Sequence, residues 1–212
     1  MNTSDFINSC KIAVLDTKTV KENPIQQLER WLEDAQKSQC PDHNAMMLST
    51  STPNGQPSAR VVLLKQIRNE CLYFFTNYKS RKAKEISINP KAAVLFYWPV
   101  LERQVRIMGH VLKADTEISD LYFKERPLGS QVSAIVSPQS AEIESREVLE
   151  QMWLDKKERL AGQIVDRPDF WGGYLLKPTH FEFWQGRPNR LHDRIVYKKQ
   201  HIDGWDIVRL AP

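Results

Sequence analysis

The chain contains many short apolar segments separated by turn signals, and this pattern constrains its fold more than any other feature. The segments are rich in Val, Ile, Leu, Phe and Tyr, and polar turns such as Pro53-Asn54-Gly55 separate them. Short strands at such close spacing predict an antiparallel sheet or barrel. The predicted strands are residues 45–50, 59–67, 72–76, 92–98, 104–112, 173–176, 180–184, 193–199 and 205–210.

Helical patterns lie between and around these strands. Asn23 and Pro24 are typical of an N-cap and a first helical position, and apolar residues follow at helical spacing to about residue 38. Further helices are predicted for residues 80–88, 115–125, 130–136 and 141–161. Residues 1–22 are polar and weakly patterned, so we expect a mobile N-terminal tail. Residues 23–212 are then expected to form a single α+β domain.

Composition excludes several classes of protein. The chain has 212 residues and is 41% hydrophobic, enough for a real core and too apolar for a mainly disordered chain. No apolar run approaches the roughly 18 residues of a membrane helix, and the N-terminus does not resemble a signal peptide. Three cysteines without a CxxC pair argue against a disulfide framework or a zinc site. We therefore expect a cytoplasmic protein without a bound metal.

The net charge of +4 conceals an uneven distribution of basic residues. Residues 60–84 carry a net charge of +6 and residues 186–201 carry +4, so the other 171 residues sum to −6. Two solvated faces would explain this pattern. Alternatively, folding brings the two stretches together around an anion.

The common catalytic motifs are absent. The sequence has no GxGxxG, no GxxxxGK[ST], no HExxH and no GxSxG. Hydrolase and metal chemistry are therefore disfavoured, and an enzyme of this kind would rely on an organic cofactor.

Two basic groups could hold a phosphate. Arg60 and Lys65 stand at the ends of an apolar strand, and Ser80-Arg81-Lys82 begins a predicted helix, where backbone N–H groups also favour an anion. A solubilising basic loop would look the same at this level.

Two further groups are candidates for ligand contacts. Tyr122 and Arg126 share a helix face, and Ser130 follows shortly after, so the three could hold a second phosphate; core-edge packing and a surface ion pair are the alternative. If residues 190–194 are extended, Arg190, His192 and Arg194 lie on one face, which indicates an anion or an electron-rich ring beside them.

In this order, the motifs resemble the pyridoxamine/pyridoxine 5′-phosphate oxidase family. The resemblance covers roughly residues 24–212, and it rests on SARVVLLK (58–65), SRKAKE (80–85), YFKERPLGSQ (122–131), FWGGY (170–174), EFWQG (182–186) and NRLHDRIVY (189–197). It implies an FMN-binding split β-barrel and a homodimer with FMN at the subunit interface. Residues 1–22 contain no Arg or Tyr, whereas many relatives carry such residues in an N-terminal lid.

The resemblance also implies roles for individual residues. The catalytic residues would be Arg190 and His192, which lie over the substrate ring. The substrate phosphate would meet Lys65, Tyr122, Arg126 and Ser130. The FMN contacts would be Arg60, Val61, Val62, Leu63, Leu64, Lys65, Phe75, Thr76, Arg81, Lys82, Gln104, Gln139, Ser140, Trp184 and Arg194.

The reaction implied is oxidation of pyridoxamine or pyridoxine 5′-phosphate to pyridoxal 5′-phosphate, with hydride transfer to the flavin N5 and reduction of O₂ to H₂O₂. Two phosphorylated ligands in one pocket would explain the two basic segments. The alternatives are a related FMN oxidase of phenazine biosynthesis and a non-catalytic protein that binds flavin or B6 vitamers. Nucleic-acid binding is disfavoured because no reader motif accompanies the basic residues.

Overall fold

The computed structural model describes residues 2–200 and 204–212, and its centre is a nine-stranded antiparallel sheet. The strands are β1 (Ala45–Ser51), β2 (Pro57–Leu63), β3 (Gln66–Arg68), β4 (Cys71–Asn77), β5 (Lys91–Trp98), β6 (Arg103–Lys113), β7 (Trp171–Gln185), β8 (Asp193–Lys199) and β9 (Trp205–Leu210). The helices are α1 (Thr3–Ile12), α2 (Pro24–Lys37), α3 (Arg81–Ile88), α4 (Thr116–Glu125), α5 (Leu128–Val136) and α6 (Arg146–Arg159). The α+β class predicted from the sequence is confirmed.

The long strand β7 organises the sheet. One edge pairs with β6 along almost its full length, whereas the other edge pairs first with β4 and then with β8. The path β2-β1-β5-β6-β7-β4-β3 therefore branches at β7, and β8 and β9 continue from its C-terminal half. This divided pairing curls the sheet around a common core.

A bulge interrupts β7 at the point where two separate strands had been predicted. Met108 pairs with His180 and Gly109 pairs with Pro178, so Thr179 is the extra residue. A Cβ atom on Gly109 would lie 2.2 Å from the carbonyl oxygen of Lys177, and the close approach therefore requires glycine. The bulge reverses the alternation of side chains. Leu176 and Phe181 are five residues apart and would point to opposite faces of a regular strand, yet both are buried in the core.

The predicted strand over residues 59–67 also divides into two pieces. β2 ends at Leu63, and the Lys65 N–H bonds to the carbonyl of Tyr73 before β3 begins. Lys65 thus lies in the connection between two strands, and its position relative to Arg60 is not that of a regular strand.

Helix α2 closes the barrel core, as its apolar spacing predicted. The Asn23 side chain accepts a hydrogen bond from the Ile25 N–H and caps the helix. Leu28, Trp31 and Ala35 are buried, and the Trp31 ring meets the Phe183 ring edge-on at 5.2 Å. Burial of each large side chain of this kind stabilises the fold by about 2–3 kcal/mol.

The N-terminal residues form a helix where an unpatterned tail was expected. Helix α1 is capped by Asn2, and the buried Cys10 and Leu15 pack into the main core. The buried Arg103 donates hydrogen bonds to the Cys10 carbonyl and to Asp34. Tertiary contacts of this kind stabilise a helix whose own periodicity is weak. No described helix is both long enough and apolar enough to cross a membrane.

Candidate functional site

Of the basic residues predicted to hold a phosphate, Arg60, Arg81 and Lys82 come together at the start of α3, whereas Lys65 lies beside Tyr122. We call the first set the Lys82 cluster (Arg60, Thr76, Arg81, Lys82, Glu85 and Gln139). Lys82 is buried, and its Nζ donates to the Thr76 hydroxyl at 3.1 Å and to the Gln139 side-chain oxygen at 3.0 Å. Burial and the charge of Arg60 lower the pKa of Lys82 to about 8. Within the described chain, no carboxylate pairs with this ammonium group.

Glu85 orients the two arginines of this cluster, and it was not singled out from the sequence. Its carboxylate contacts Arg60 at 3.5 Å and Arg81 at 2.9 Å, and it also accepts hydrogen bonds from Thr50 and Ser58. Burial alone would raise the pKa of Glu85, but these hydrogen bonds and the arginine charges outweigh burial and lower it to about 2. The Arg81–Glu85 spacing of four within SRKAKE was the available signal.

The Lys82 cluster fits a dianionic phosphate. Three cations face a single carboxylate, so the cluster carries a net charge of +2. Burial also lowers the pKa of Arg60 despite its contact with Glu85, which indicates a guanidinium removed from water without full compensation. A bound phosphate would supply the missing negative charge through charge-assisted hydrogen bonds.

The second group forms what we call the Arg126 cluster (Lys65, Phe75, Tyr122, Arg126 and Trp171). The Phe75 and Tyr122 rings stack at 3.9 Å, and the Lys65 ammonium lies 5.8 Å from the Tyr122 ring centre. The Arg126 guanidinium carbon lies 4.5 Å from the Trp171 ring centre. Burial lowers the pKa of Arg126, and its Nη1 atom is buried without a hydrogen-bond partner in the described structure.

An unpartnered buried N–H group is rare in proteins, because it loses its water without gaining a replacement. Arg126 therefore presents a donor that a phosphate oxygen would satisfy. Trp171, which supports the guanidinium, belongs to the FWGGY motif but was not predicted as a site residue. Ser130 lies in the first turn of α5, where its N–H bonds to the Pro127 carbonyl.

The third group lies at the opposite end of β7, and we call it the His192 cluster (Glu182, Trp184, Arg187, His192 and Arg194). The rings of Trp184 and His192 lie 4.6 Å apart, and Gln104 is the cross-strand neighbour of Trp184. Arg194 donates to Glu182 at 2.9 Å, and Arg106 bonds to the same buried carboxylate. Glu182 and Arg187 were not recognised from the sequence.

The expected extended geometry is wrong for Arg190. This residue ends a 3-10 turn, Pro188–Arg190, with a φ of 61°, and β8 begins only at Asp193. Arg190 and His192 therefore do not alternate along a strand. Asn189 adopts a left-handed φ of 58° in the same turn, so the chain reverses sharply there.

The other predicted FMN residues surround these clusters. Val61 and Leu63 are exposed on one face of β2, Val62 packs against the main core, and Leu64 is buried. Gln139 and Ser140 line a surface pocket of about 360 Å³ beside the Lys82 cluster. Ser140 has a φ of 71°, which places it at a tight turn.

The Arg126 and His192 clusters stand at opposite ends of β7. Trp171 of the Arg126 cluster begins the strand, and Trp184 of the His192 cluster lies one residue before its end. The predicted catalytic residues Arg190 and His192 follow the C-terminal end of this strand.

Known proteins resemble this chain along almost its whole length. A family model described as "Pyridoxamine 5'-phosphate oxidase" matches residues 32–153, and one described as "Pyridoxine 5'-phosphate oxidase C-terminal dimerisation region" matches residues 171–212. The pyridoxine/pyridoxamine 5'-phosphate oxidase of Cupriavidus taiwanensis is 48% identical over 209 residues, covering 99% of this chain and 98% of that protein.

Two solved structures share the fold. PhzG from Burkholderia lata 383, in complex with tetrahydrophenazine-1-carboxylic acid, has a TM-score of 0.89 at 28% identity and covers 95% of this chain and 100% of its own. A pyridoxamine 5'-phosphate oxidase-related, FMN binding protein from Nostoc punctiforme has a TM-score of 0.73 at 18% identity, covering 90% and 98%. The chain described here belongs to the pyridoxamine 5′-phosphate oxidase family.

Proposed function

We propose that this protein is an FMN-dependent oxidase that converts pyridoxamine 5′-phosphate and pyridoxine 5′-phosphate to pyridoxal 5′-phosphate. The observation that carries the proposal is the presence of two separate clusters, each with a buried cationic donor that a phosphate group could bind. Among the described residues, no carboxylate pairs with the buried Lys82 in one cluster, and Arg126 has an unsatisfied buried donor in the other. FMN and a B6 phosphate each bring one phosphate group. The name of the Cupriavidus relative supports the same activity.

The chain's own residues bind and orient both ligands in this proposal. The Lys82 cluster holds the FMN phosphate, together with Ser140 and residues 61–65. The Arg126 cluster and Ser130 hold the substrate phosphate. When bound, FMN would supply the oxidising group, taking a hydride at N5 from the substrate carbon that bears the amine or alcohol and being reoxidised by O₂ to give H₂O₂. With the amine substrate, water would hydrolyse the resulting imine and release ammonia. Holding that carbon at reacting distance is mainly an orientation effect.

A second copy of the chain completes the site. The matched C-terminal region, residues 171–212, is described as a dimerisation region and contains the whole His192 cluster. In a homodimer, the His192 cluster of one protomer meets the Lys82 and Arg126 clusters of its partner. Arg190 and His192 would then lie over the substrate ring, and Gln104, Trp184 and Arg194 would contact the flavin.

The outer face of β2, β1, β5 and β6 is suited to burial in this dimer. Val61 and Met47 are cross-strand neighbours and are 64% and 43% exposed, and Tyr97 and Met108 are 59% and 47% exposed. Met47 and Met108 line a pocket of about 330 Å³ that also includes Arg106 and Glu182. A continuous apolar face of this kind marks an interface.

We propose that residues 23–212 form one FMN-binding domain, with α1 packed against it, and that the protein is cytoplasmic. Its three cysteines, Cys10, Cys40 and Cys71, are free thiols, which suits a reducing compartment.

The second candidate activity is that of a phenazine-pathway oxidase, and the similarity to PhzG favours it. The two substrates would bring different anions to Arg126, because tetrahydrophenazine-1-carboxylic acid carries a carboxylate and no phosphate. An arginine donor binds either anion, so a direct comparison of the substrates separates the two candidates. A non-catalytic flavin- or vitamer-binding protein is a third alternative.

Anaerobic flavin bleaching tests the proposed function. The FMN-loaded protein is mixed without oxygen with pyridoxine 5′-phosphate, pyridoxamine 5′-phosphate, unphosphorylated pyridoxine or tetrahydrophenazine-1-carboxylic acid. We expect the two phosphorylated vitamers to bleach the flavin absorbance, and readmitted oxygen to restore it. Bleaching by the phenazine precursor alone would contradict the proposal, and so would no bleaching by any of the four.

A further inference from the structure

The orientation of His192 is determined by a backbone hydrogen bond. The Arg187 N–H donates to the Nδ1 atom of His192 at 3.1 Å. A backbone N–H can only donate, so Nδ1 must be the unprotonated acceptor. The proton of the neutral imidazole therefore resides on Nε2. The Trp184 ring, 4.6 Å away, packs against the imidazole and limits its rotation.

The backbone at Arg187 is itself firmly anchored by its side chain. The Arg187 guanidinium donates to the Asp193 carboxylate at 2.7 Å and to the carbonyls of Lys11 at 3.2 Å and Ala13 at 2.6 Å. These acceptors belong to β8 and to the N-terminal segment. Arg209 bonds to the other oxygen of Asp193 at 2.7 Å, which fixes the carboxylate from its opposite side.

We propose that Arg187 is a positioning residue that holds His192 in the tautomer with its proton on Nε2, so that His192 donates a hydrogen bond to the substrate and does not remove a proton from it. The part that concerns the substrate rests on the proposed function. The part that concerns the tautomer does not, because it follows from the Arg187–His192 contact. The N-terminal segment then supports the site from behind, through the carbonyls of Lys11 and Ala13.

Nitrogen NMR tests the tautomer directly. The FMN-loaded protein is prepared with ¹⁵N-labelled histidine side chains, and its spectra are recorded with and without pyridoxal 5′-phosphate. The His192→Gln variant identifies the His192 signals by their loss. We expect Nε2 to be protonated and Nδ1 to be unprotonated in both states. A proton on Nδ1, or an averaged mixture of the two tautomers, would overturn the proposal.

Two amide substitutions test the donor role. In His192→Gln the side-chain amide reaches the position of Nε2 and can donate there, whereas in His192→Asn it reaches only the position of Nδ1. We expect the Gln variant to keep at least about tenfold more of the kcat than the Asn variant. Equal loss in the two variants would indicate that the substrate needs a base and not a donor. Failure of the proposed function would appear as absent bleaching in the unmodified protein, which leaves the NMR result unaffected.

The variant Arg187→Leu tests the positioning role, because it removes the guanidinium anchors and keeps the backbone N–H. We expect its His192 signals to shift to a mixture of tautomers and its kcat to fall about tenfold, with FMN affinity within about twofold of the parent. Arg146→Leu, on the exposed face of α6, is the matched control and should change neither the His192 signals nor the kcat. A single Nε2 tautomer with unchanged kcat in Arg187→Leu would overturn the positioning role. If this variant does not fold, Arg187→Lys replaces it in both measurements, with the same two outcomes.

Discussion

The guanidinium of Arg126 lies over the indole ring of Trp171, with its central carbon 4.5 Å from the ring centre and its Nη1 atom buried without a partner in the described residues. The ring supports the charge through its π-face and cannot accept the in-plane N–H groups. The unsatisfied donor remains available for a ligand oxygen.

Replacing Arg126 by Met should weaken phosphate recognition selectively. We expect the KM for pyridoxine 5′-phosphate to rise by about 30-fold or more, because a hydrogen bond to a charged group contributes roughly 2–3 kcal/mol. The FMN affinity should stay within about twofold, since the Lys82 cluster is separate. Steady-state assays of H₂O₂ production measure the first quantity and flavin fluorescence titration measures the second.

Unphosphorylated pyridoxine provides the control for this variant. Its kcat/KM should be nearly the same in Arg126→Met and the parent, because it has no phosphate to bind. A parallel loss with both substrates would instead indicate that Arg126 supports the fold or the flavin.

Binding of FMN to the apoprotein should weaken as the pH rises above about 8. Burial and the charge of Arg60 lower the pKa of Lys82 to about 8, so the apoprotein loses this positive charge as the pH rises through that value. A bound phosphate dianion favours the protonated amine, and binding then takes up a proton. We expect the Kd for FMN to rise by up to about tenfold per pH unit above pH 8.

Fluorescence titrations between pH 7.5 and 9.5 measure this dependence, because the FMN phosphate stays fully ionised throughout that range. The Lys82→Met variant is the matched control: it should bind FMN more weakly, with a flatter pH profile. If the Kd for FMN rises equally steeply with pH in Lys82→Met, the proton is taken up by another group.

The charge of Glu85 should stabilise the fold at neutral pH and lose this effect in acid. Its folded-state pKa, lowered to about 2, lies below its ordinary value of 4.5. The stabilisation is therefore complete above about pH 4.5 and decreases as the pH falls towards 2. We expect Glu85→Gln to lower the free energy of unfolding at pH 7 by about 1–2 kcal/mol, discounted for solvent screening.

Urea unfolding at pH 7 and pH 3 measures this effect for Glu85→Gln and its parent. The difference between the two should narrow at pH 3, where the parent has lost part of the advantage. Glu150→Gln removes a carboxylate from an exposed pair with Arg146 and should have little effect at either pH. If the free energies of unfolding of the parent and Glu85→Gln differ by the same amount at pH 7 and pH 3, the charge of Glu85 is not the cause.

A charged residue on the outer face of the sheet should dissociate the dimer. We expect Val61→Glu and Met108→Glu to shift the protein from dimer to monomer at micromolar concentration, because each would bury a carboxylate without a partner. FMN affinity should fall together with dimer content. Sedimentation velocity measures the oligomeric state.

Leu154→Glu tests whether any exposed apolar residue would give the same result. Leu154 is 54% exposed on α6, away from the sheet face, and its substitution should leave the dimer intact. Monomers formed by Leu154→Glu, or dimers retained by both sheet variants, would place the interface elsewhere.

The sequence predicted local structure well where the pattern was periodic and flanked by turn residues. Helix α2 and strands β8 and β9 were located almost to the residue. The two strands predicted over residues 173–184 proved to be one, because the bulge at Thr179 depends on how closely Gly109 approaches Lys177 across the sheet. Helix α1 was missed because its stability comes from contacts with distant residues such as Arg103.

In the candidate site too, some residues could be predicted from the sequence and others depend on tertiary contacts. The basic residues were recognisable from their charge, whereas the residues that orient them were not. Glu182, which holds Arg194, lies on another strand, and the Arg187 backbone acts through a contact that no side-chain motif encodes. The left-handed turn at Arg190 could not be recognised from its residue type, since such a φ is unusual for arginine.

The single extra residue in β7 changes which side chains face the core in the two halves of that strand. Ahead of Thr179, the even-numbered Tyr174 and Leu176 are buried in the core; after it, the odd-numbered Phe181 and Phe183 are. A strand in continuous phase would turn Glu182 and Trp184 into the barrel and expose two phenylalanines. One inserted residue thus lets a single strand contribute to the core along its whole length, while Glu182 and Trp184 lie on the other face at its far end.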